Sequence, residues 1–111
     1  MSPELQQQLV QLQNLSQQLQ QAQQQRLQFE AMKHETDAAI EAIEALADDA
    51  PVYRSLGSLL VKDTGKADVL TRLKDEQETL EIRVKRAKGQ EDQLRESATQ
   101  LQAKLQKALQ G

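Results

Sequence analysis

His34 is the only histidine of the chain and the first candidate for chemistry, because Glu30 and Asp37 lie at helical spacing on either side of it. On a helix these three side chains would be neighbours, so a metal site or an acid–base site is conceivable. A catalytic zinc site, however, typically needs three protein ligands and a sheltered position. A pair of solvated helices provides no such sheltered position. We therefore interpret His34 as a surface residue and expect no metal and no cofactor.

Two carboxylate pairs, Glu41 with Glu44 and Asp48 with Asp49, are the next candidates. Paired carboxylates perform acid–base catalysis when their environments push the two pKa values apart. A chain with so little to bury provides no such environment. We therefore interpret both pairs as solvated charge and predict that the protein is not an enzyme.

The stretch "RVKRAK" at 83–88 is basic, but acidic residues flank it and no aromatic residue interleaves with it. Nucleic-acid binding needs a continuous basic face. The net charge of -3, with both signs mixed along most of the chain, gives no general attraction to nucleic acid or to anionic lipid. We predict a solvated helix face here, no nucleic-acid partner and no membrane partner.

The composition indicates long helices. Of the 111 residues, 38% are hydrophobic and only 2% are aromatic, which is too little ring surface for an ordinary compact core. Leucine and alanine among glutamine and charged residues are typical of a coiled coil. The chain has no cysteine and its N-terminus does not resemble a secretory signal. These features predict one cytoplasmic domain over residues 1–111.

The first helix is predicted over residues 3–49, with Ser2 as N-cap and Pro3 at the first helical position. Pro51 is expected to stop it. Leu5 and Leu9 lie slightly out of register with the later apolar row, which suggests a local stammer. That row comprises Leu12, Leu15, Leu19, Ala22, Phe29, Ile40 and Ile43, and it is interrupted by Arg26, Lys33 and Thr36.

The second helix is predicted over residues 66–110 and carries a strict heptad pattern in which only Gln77 and Glu91 are polar. Two helices of similar length with a short connector are expected to pair in antiparallel orientation. Residues 5–25 then face residues 91–111. The apolar heptad positions are Leu70, Leu73, Leu80, Val84, Ala87, Leu94, Ala98, Leu101, Leu105 and Ala108.

The connector at 51–63 predicts a β-hairpin around Gly57 and Ser58. Glycine at the first turn position permits a type II′ turn. The register then places Val52, Arg54, Leu56, Leu59 and Val61 on one face, and Tyr53 and Leu60 on the other.

Both faces of this hairpin carry apolar residues, and its strand edges are unpaired. An isolated two-stranded hairpin is marginal in water. We therefore expect hairpins from several chains to join in a shared sheet or barrel. The predicted fold class is mainly α, with two long antiparallel coiled-coil helices joined by one β-hairpin that assembles with other subunits into a β-barrel base.

The order helix, hairpin, helix resembles the β-class, single-hairpin subunit of prefoldin, a chaperone of archaea and eukaryotes. "DDAPVYRSLGSLLVK" at 48–62 is similar to the linker and hairpin of that family, and "LEIRVKRAKGQEDQLRE" at 80–96 to its second helix. Gly89 departs from the charged residue usual there. The likeness to the archaeal type covers essentially the whole chain.

The resemblance implies a hetero-hexamer of two α-class subunits and four β-class copies, which binds non-native proteins without ATP and delivers them to a group II chaperonin. It assigns subunit assembly to Val52, Tyr53, Leu56, Leu59, Leu60 and Val61. It assigns client binding to apolar residues near both chain ends, namely Leu5, Leu9, Val10, Leu12, Leu101, Leu105 and Leu109.

Helical geometry points to an exposed apolar surface near the ends of the chain as well. Leu9 and Val10 subtend too wide an arc for one partner helix to cover. Leu105 and Leu109 are expected to add to this uncovered apolar surface. The competing interpretation is that these leucines complete the seam. The glutamine-rich stretch 5–25 has helically spaced leucines, so a helix is favoured over a prion-like tract. The functional alternative to a chaperone is a coiled-coil scaffold or adaptor.

Overall fold

A computed structural model describes residues 2–110, so Met1 and Gly111, the ends of the predicted domain, lie outside the described residues. The elements are α1 (Pro3–Glu44), β1 (Tyr53–Leu56), β2 (Leu59–Lys62) and α2 (Lys66–Gln110). The predicted order of two long helices joined by one hairpin is confirmed. Neither helix contains, within the described residues, an apolar stretch that could span a membrane.

The chain divides into two compact units. Met1–Gln28 and Val84–Gly111 form the first, which we call the terminal unit because it contains both chain ends. Phe29–Arg83 form the second, which we call the hairpin unit. Each unit contains a stretch of α1 packed against a stretch of α2.

The start of α1 follows the prediction. The Ser2 hydroxyl accepts a hydrogen bond from the backbone N–H of Leu5 at 3.1 Å, which is the N-cap contact that satisfies an otherwise unpaired donor. Pro3 occupies the first helical position and Glu4 lies in the first turn, where its charge is favourable to the helix dipole.

The end of α1 was predicted at 49, and this was wrong, since the helix ends at Glu44. The last turn tightens, with Leu46 N–H donating to the carbonyl of Ile43 at 3.1 Å. Lys66, the first residue of α2, then donates its ammonium to the carbonyls of Glu44 at 3.2 Å and Leu46 at 2.7 Å. The Lys66 ammonium thus binds carbonyls that the end of α1 leaves unpaired, and the helix ends before it reaches Pro51.

The hairpin adopts the predicted register. Leu56 lies opposite Leu59, and Arg54 lies opposite Val61. Gly57 has φ of 58° and no described non-glycine residue has positive φ, which is the type II′ pattern expected for glycine followed by serine.

Asp63 fastens the open end of the hairpin to α2. Its backbone N–H donates to the carbonyl of Val52 at 2.7 Å, while its carboxylate accepts from the backbone N–H of Thr64 at 2.7 Å and forms an ion pair with Arg72. The hydrogen bond from Thr64 and then the Arg72 guanidinium hold the pKa of Asp63 below its usual value. The base of the hairpin is therefore held by charged and backbone contacts together.

In the hairpin unit the helices pack through Ile40, Val69 and Leu80, all of which are buried. Thr36 is buried as well and satisfies its hydroxyl by donating to the carbonyl of Met32. Gln77, one of the two polar heptad positions, donates to the carboxylate of Asp37 at 2.6 Å. The antiparallel orientation follows from this contact and from the ion pair of Lys74 with Glu44.

In the terminal unit the predicted heptad of α2 is confirmed. Val84, Ala87, Glu91 and Leu105 are buried, and Leu94, Ala98 and Leu101 are half-buried, whereas the last position, Ala108, is exposed.

The stammer expected in the first turns of α1 is wrong. The row of covered residues runs from Leu5 through Gln8 to Leu12 and on to Leu15 with regular steps of three and four. Leu9 falls beside this row instead of within it. The packing of α2 against α1 therefore places Gln8, and not Leu9, in the seam between the helices.

Candidate functional site

The hairpin presents an exposed apolar surface that we call the hairpin surface. Leu60 is 73% exposed and Leu59 66% exposed at the turn end of β2, and the remaining members are Tyr53, Leu56 and Val61. Every strand residue is exposed on both faces of the two-stranded sheet. Large apolar groups clustered in this way are typical of a protein-interaction site.

Val52 differs from the other predicted assembly residues because it is buried. It lines a small groove together with Ile43 and Val69 of the two helices. Its side chain therefore anchors the hairpin within the hairpin unit, and the predicted role in subunit contacts rests on the five exposed residues.

A second exposed apolar surface lies in the terminal unit. Val10 is 55% exposed and Leu109 65% exposed, and Leu9 is also exposed. We call these three residues the terminal surface. Leu5, Leu12 and Leu101 are only half-buried, so each can contribute an edge to this surface while packing in the seam.

Leu105 was predicted to add to the exposed apolar surplus, and this was wrong, since it is 4% exposed. The heptad that contains Leu101 places Leu105 on the seam face of α2. Its side chain packs between the helices and is not accessible to another protein in this structure. The assignment of client contacts to the other six residues stays a prediction.

Sequence reasoning missed an ion pair at the centre of the terminal unit. The guanidinium of Arg26 on α1 contacts the carboxylate of Glu91 on α2, and Arg95 donates to the same carboxylate at 2.9 Å. The Glu91 side chain is only 5% exposed. Its hydrogen bond with Arg26, and the one with Arg95, hold the pKa of Glu91 below its usual value.

The signal for this pair was present in the sequence. Arg26 interrupts the apolar row of α1, and Glu91 interrupts the heptad of α2. Once the helices are aligned in antiparallel orientation, the two interruptions lie opposite each other. The contact between Gln77 and Asp37 explains the other polar heptad position in the same manner.

The residues considered for chemistry are dispersed over the surfaces of the two helices and the segment that follows α1. His34 is exposed, and no group of three potential metal ligands occurs among residues 2–110. Glu44 pairs with Lys74 at 3.6 Å, and Asp48 lies 3.5 Å from Lys66. In the basic run, the Arg83 guanidinium lies 5.8 Å from the centre of the Phe29 ring, within range of a cation–π contact. These are contacts that stabilise a helix pair.

Comparisons with known proteins agree with this architecture. Residues 6–111 match the family described as prefoldin subunit. The prefoldin subunit beta of Methanosarcina acetivorans is 43% identical over 107 residues, which cover 96% of this chain and 91% of the relative. The prefoldin subunit beta of Archaeoglobus fulgidus is similar to the same extent.

A solved structure has the same fold. The crystal structure of the prefoldin beta subunit from Thermococcus strain KS-1 superposes with a TM-score of 0.89 at 39% identity. The superposition covers 99% of this chain and 96% of that one. The likeness therefore extends over both helices and the hairpin.

Proposed function

The chain belongs to the prefoldin family and is a beta-type chaperone subunit, and from this membership we propose that it holds unfolded proteins by the terminal surface and assembles by the hairpin surface. The observation that carries the proposal is the presence of two separate exposed apolar surfaces, one in each unit of the chain. Prefoldin is a chaperone family and not a family of enzymes.

Assembly is the role we propose for the hairpin surface. Exposed leucines on both faces and unpaired strand edges favour strand addition by other hairpins. The partners would be an α-class prefoldin subunit and further copies of this chain, in a hexamer of two α and four β subunits around a β-barrel base. The predicted cellular location of the complex is the cytoplasm.

Client holding is the role we propose for the terminal surface. Burying one apolar side chain fully is worth about 1.5–3 kcal/mol, and partial contact is worth less. One chain would therefore bind weakly, whereas several chains acting on one client would gain avidity. Such binding needs no ATP, and the held protein would pass to a group II chaperonin. Lys104 and Lys107 lie in the same unit and are candidates to meet an acidic chaperonin surface.

The experiment mixes the chain with an archaeal α-class subunit, measures the mass of the complex, and follows the aggregation of a chemically denatured protein by light scattering without nucleotide. We expect a hexamer and suppression of scattering for several unrelated clients. A coiled-coil adaptor, the alternative, would bind one stoichiometric partner and protect none of them. Full aggregation in the presence of an intact hexamer would refute client holding.

A further inference from the structure

A groove lined mainly by glutamine amides, with the apolar side chains of Ala22 and Leu94 among them, lies along one side of the helix pair in the terminal unit. Five glutamines of α1 between positions 18 and 28 line it, together with Gln90, Gln93 and Ser97 of α2, and this open groove has a volume of about 790 Å³. A second stretch of about 370 Å³ contains Gln8, Gln11 and Gln100 and shares Ser97 with the first. We call the two stretches together the glutamine groove.

The two sides of this helix pair differ in chemistry. Flanking positions of a coiled coil usually carry charged residues that pair across the helices. On the opposite side of the seam, Arg95 fills such a position and forms ion pairs within α2, with Glu91 and Asp92. In the glutamine groove the equivalent positions are Gln11, Gln18 and Gln25, and among the described residues that line it Lys104 alone is charged.

The glutamine amides of the groove form no side-chain hydrogen bond with the protein in the part of the chain that the structure describes. Each carries one acceptor and two donor hydrogens. A row of amides that satisfy nothing in the fold is available to a ligand that carries alternating donors and acceptors.

We propose that the glutamine groove binds the main chain of an extended, unfolded polypeptide, an inference that rests on the proposed client-holding function. A glutamine side chain ends in the same amide group as the peptide bond, so it can donate to a carbonyl and accept from an N–H irrespective of the client's side chains. The absence of charge imposes no preference for basic or acidic clients.

The dimensions of the groove suit this occupant. Residues 8–28 of α1 span about 30 Å at 1.5 Å per residue. A strand-like segment of about nine residues has the same length at about 3.3 Å per residue. The groove thus offers hydrogen-bonding contacts for the main chain of a client, whereas the terminal surface offers contacts for its apolar side chains.

The test compares two variants that lose the same number of glutamines from the same helix. The groove variant replaces Gln11, Gln18, Gln21 and Gln25 by alanine, and the control variant replaces Gln13, Gln17, Gln20 and Gln23, none of which lines the groove. Alanine is the better helix former, so both variants keep their helices. Each is assembled with its partner subunits and titrated with fluorescently labelled, reduced and alkylated lactalbumin.

We expect the groove variant to bind the unfolded probe about tenfold more weakly, because several weak hydrogen bonds are removed together, while the control variant stays within about twofold of the native protein. A third variant, with Leu9, Val10 and Leu109 replaced by serine, tests the terminal surface separately. Loss of binding in this variant alone would overturn the groove and leave the proposed function intact. Absence of binding by the native assembly would overturn both.

A photo-crosslinker placed at Gln21 or at Gln20 adds a readout that does not depend on affinity. Crosslinks to the probe from position 21 and not from 20 are expected. The main-chain requirement is tested with two peptides of one sequence, of which one is N-methylated at alternate residues. Weaker binding of the methylated peptide to the native assembly, with no such difference for the groove variant, supports the proposal, and equal binding of the two peptides to the native assembly overturns it.

Discussion

Leu59 and Leu109 offer a matched pair of substitutions that separates assembly from client binding. Leu59 belongs to the hairpin surface and is 66% exposed, and Leu109 belongs to the terminal surface and is 65% exposed. Replacing either by serine removes nearly the same exposed apolar area. If the two surfaces have different partners, the two variants must fail in different assays.

The expected size of the effect follows from the exposed fraction of Leu59. Burying a whole leucine side chain is worth about 1.5–3 kcal/mol, and about two thirds of this one remains to be buried, so Leu59→Ser should cost assembly about 1–2 kcal/mol per subunit. The dissociation constant of a subunit should therefore rise about 5- to 30-fold.

Native mass spectrometry over a dilution series measures this constant, and circular dichroism checks that each variant keeps its helices. We expect Leu59→Ser to release free subunits at concentrations where the native protein and Leu109→Ser are fully assembled. We expect Leu109→Ser, as an intact complex, to suppress the aggregation of an unfolded client less well. Equal assembly of all three proteins would refute the assignment of the hairpin surface to subunit contacts.

Three further predictions concern stability. Arg26 and Arg95 hold the pKa of Glu91 below the ordinary glutamate value of 4.5, so the contribution of its charge to stability is complete above that pH and is lost as the pH falls through the lower folded pKa. Thermal melts should therefore show a smaller loss of stability on acidification below about pH 4.5 in Glu91→Gln than in the native protein. Leu80 is 2% exposed and Ile82 48% exposed, so Leu80→Ala should cost about 2–5 kcal/mol in urea unfolding, and Ile82→Ala less than about 1 kcal/mol. Gly57→Ala should destabilise the chain by about 1–2 kcal/mol because its φ is 58°, while Gly89→Ala, with open space around the added carbon, should stabilise it by about 0.8–1 kcal/mol; equal thermal shifts for the two alanines would contradict this.

Local signals in the sequence were sufficient for the hairpin and for the heptad of α2. Gly57 followed by Ser58 selects one turn type, and the turn type fixes which residues lie opposite one another. The heptad repeats through the whole of α2, so its phase can be determined without the partner helix. Where an element's geometry depends only on its neighbours in sequence, prediction and structure agree.

Contacts between distant residues account for what the sequence could not predict. The end of α1 depends on Lys66, which lies more than twenty residues further along the chain than Glu44. Leu9 is more apolar than Gln8, and only the phase imposed by α2 places Gln8 in the seam and Leu9 outside it. Val52 follows the alternation of the hairpin, yet the two helices beside it bury it. In each case a residue from another element determines where the helix ends or which side chain is buried.

The ion pair of Arg26 and Glu91 explains why a seam of leucines and alanines should hold charged residues at all. Such a seam tolerates a slip of one heptad, because one apolar residue then replaces another. A slip would place Arg26 opposite Val84 or Ala98 and separate its guanidinium from Glu91, which would keep only its contact with Arg95 within α2. Separating a covered ion pair in this way is unfavourable. The pair therefore specifies one alignment of the helices in the terminal unit, as single polar residues do in other coiled coils. That alignment keeps Leu9 of the terminal surface at the same level of the helix pair as Leu109.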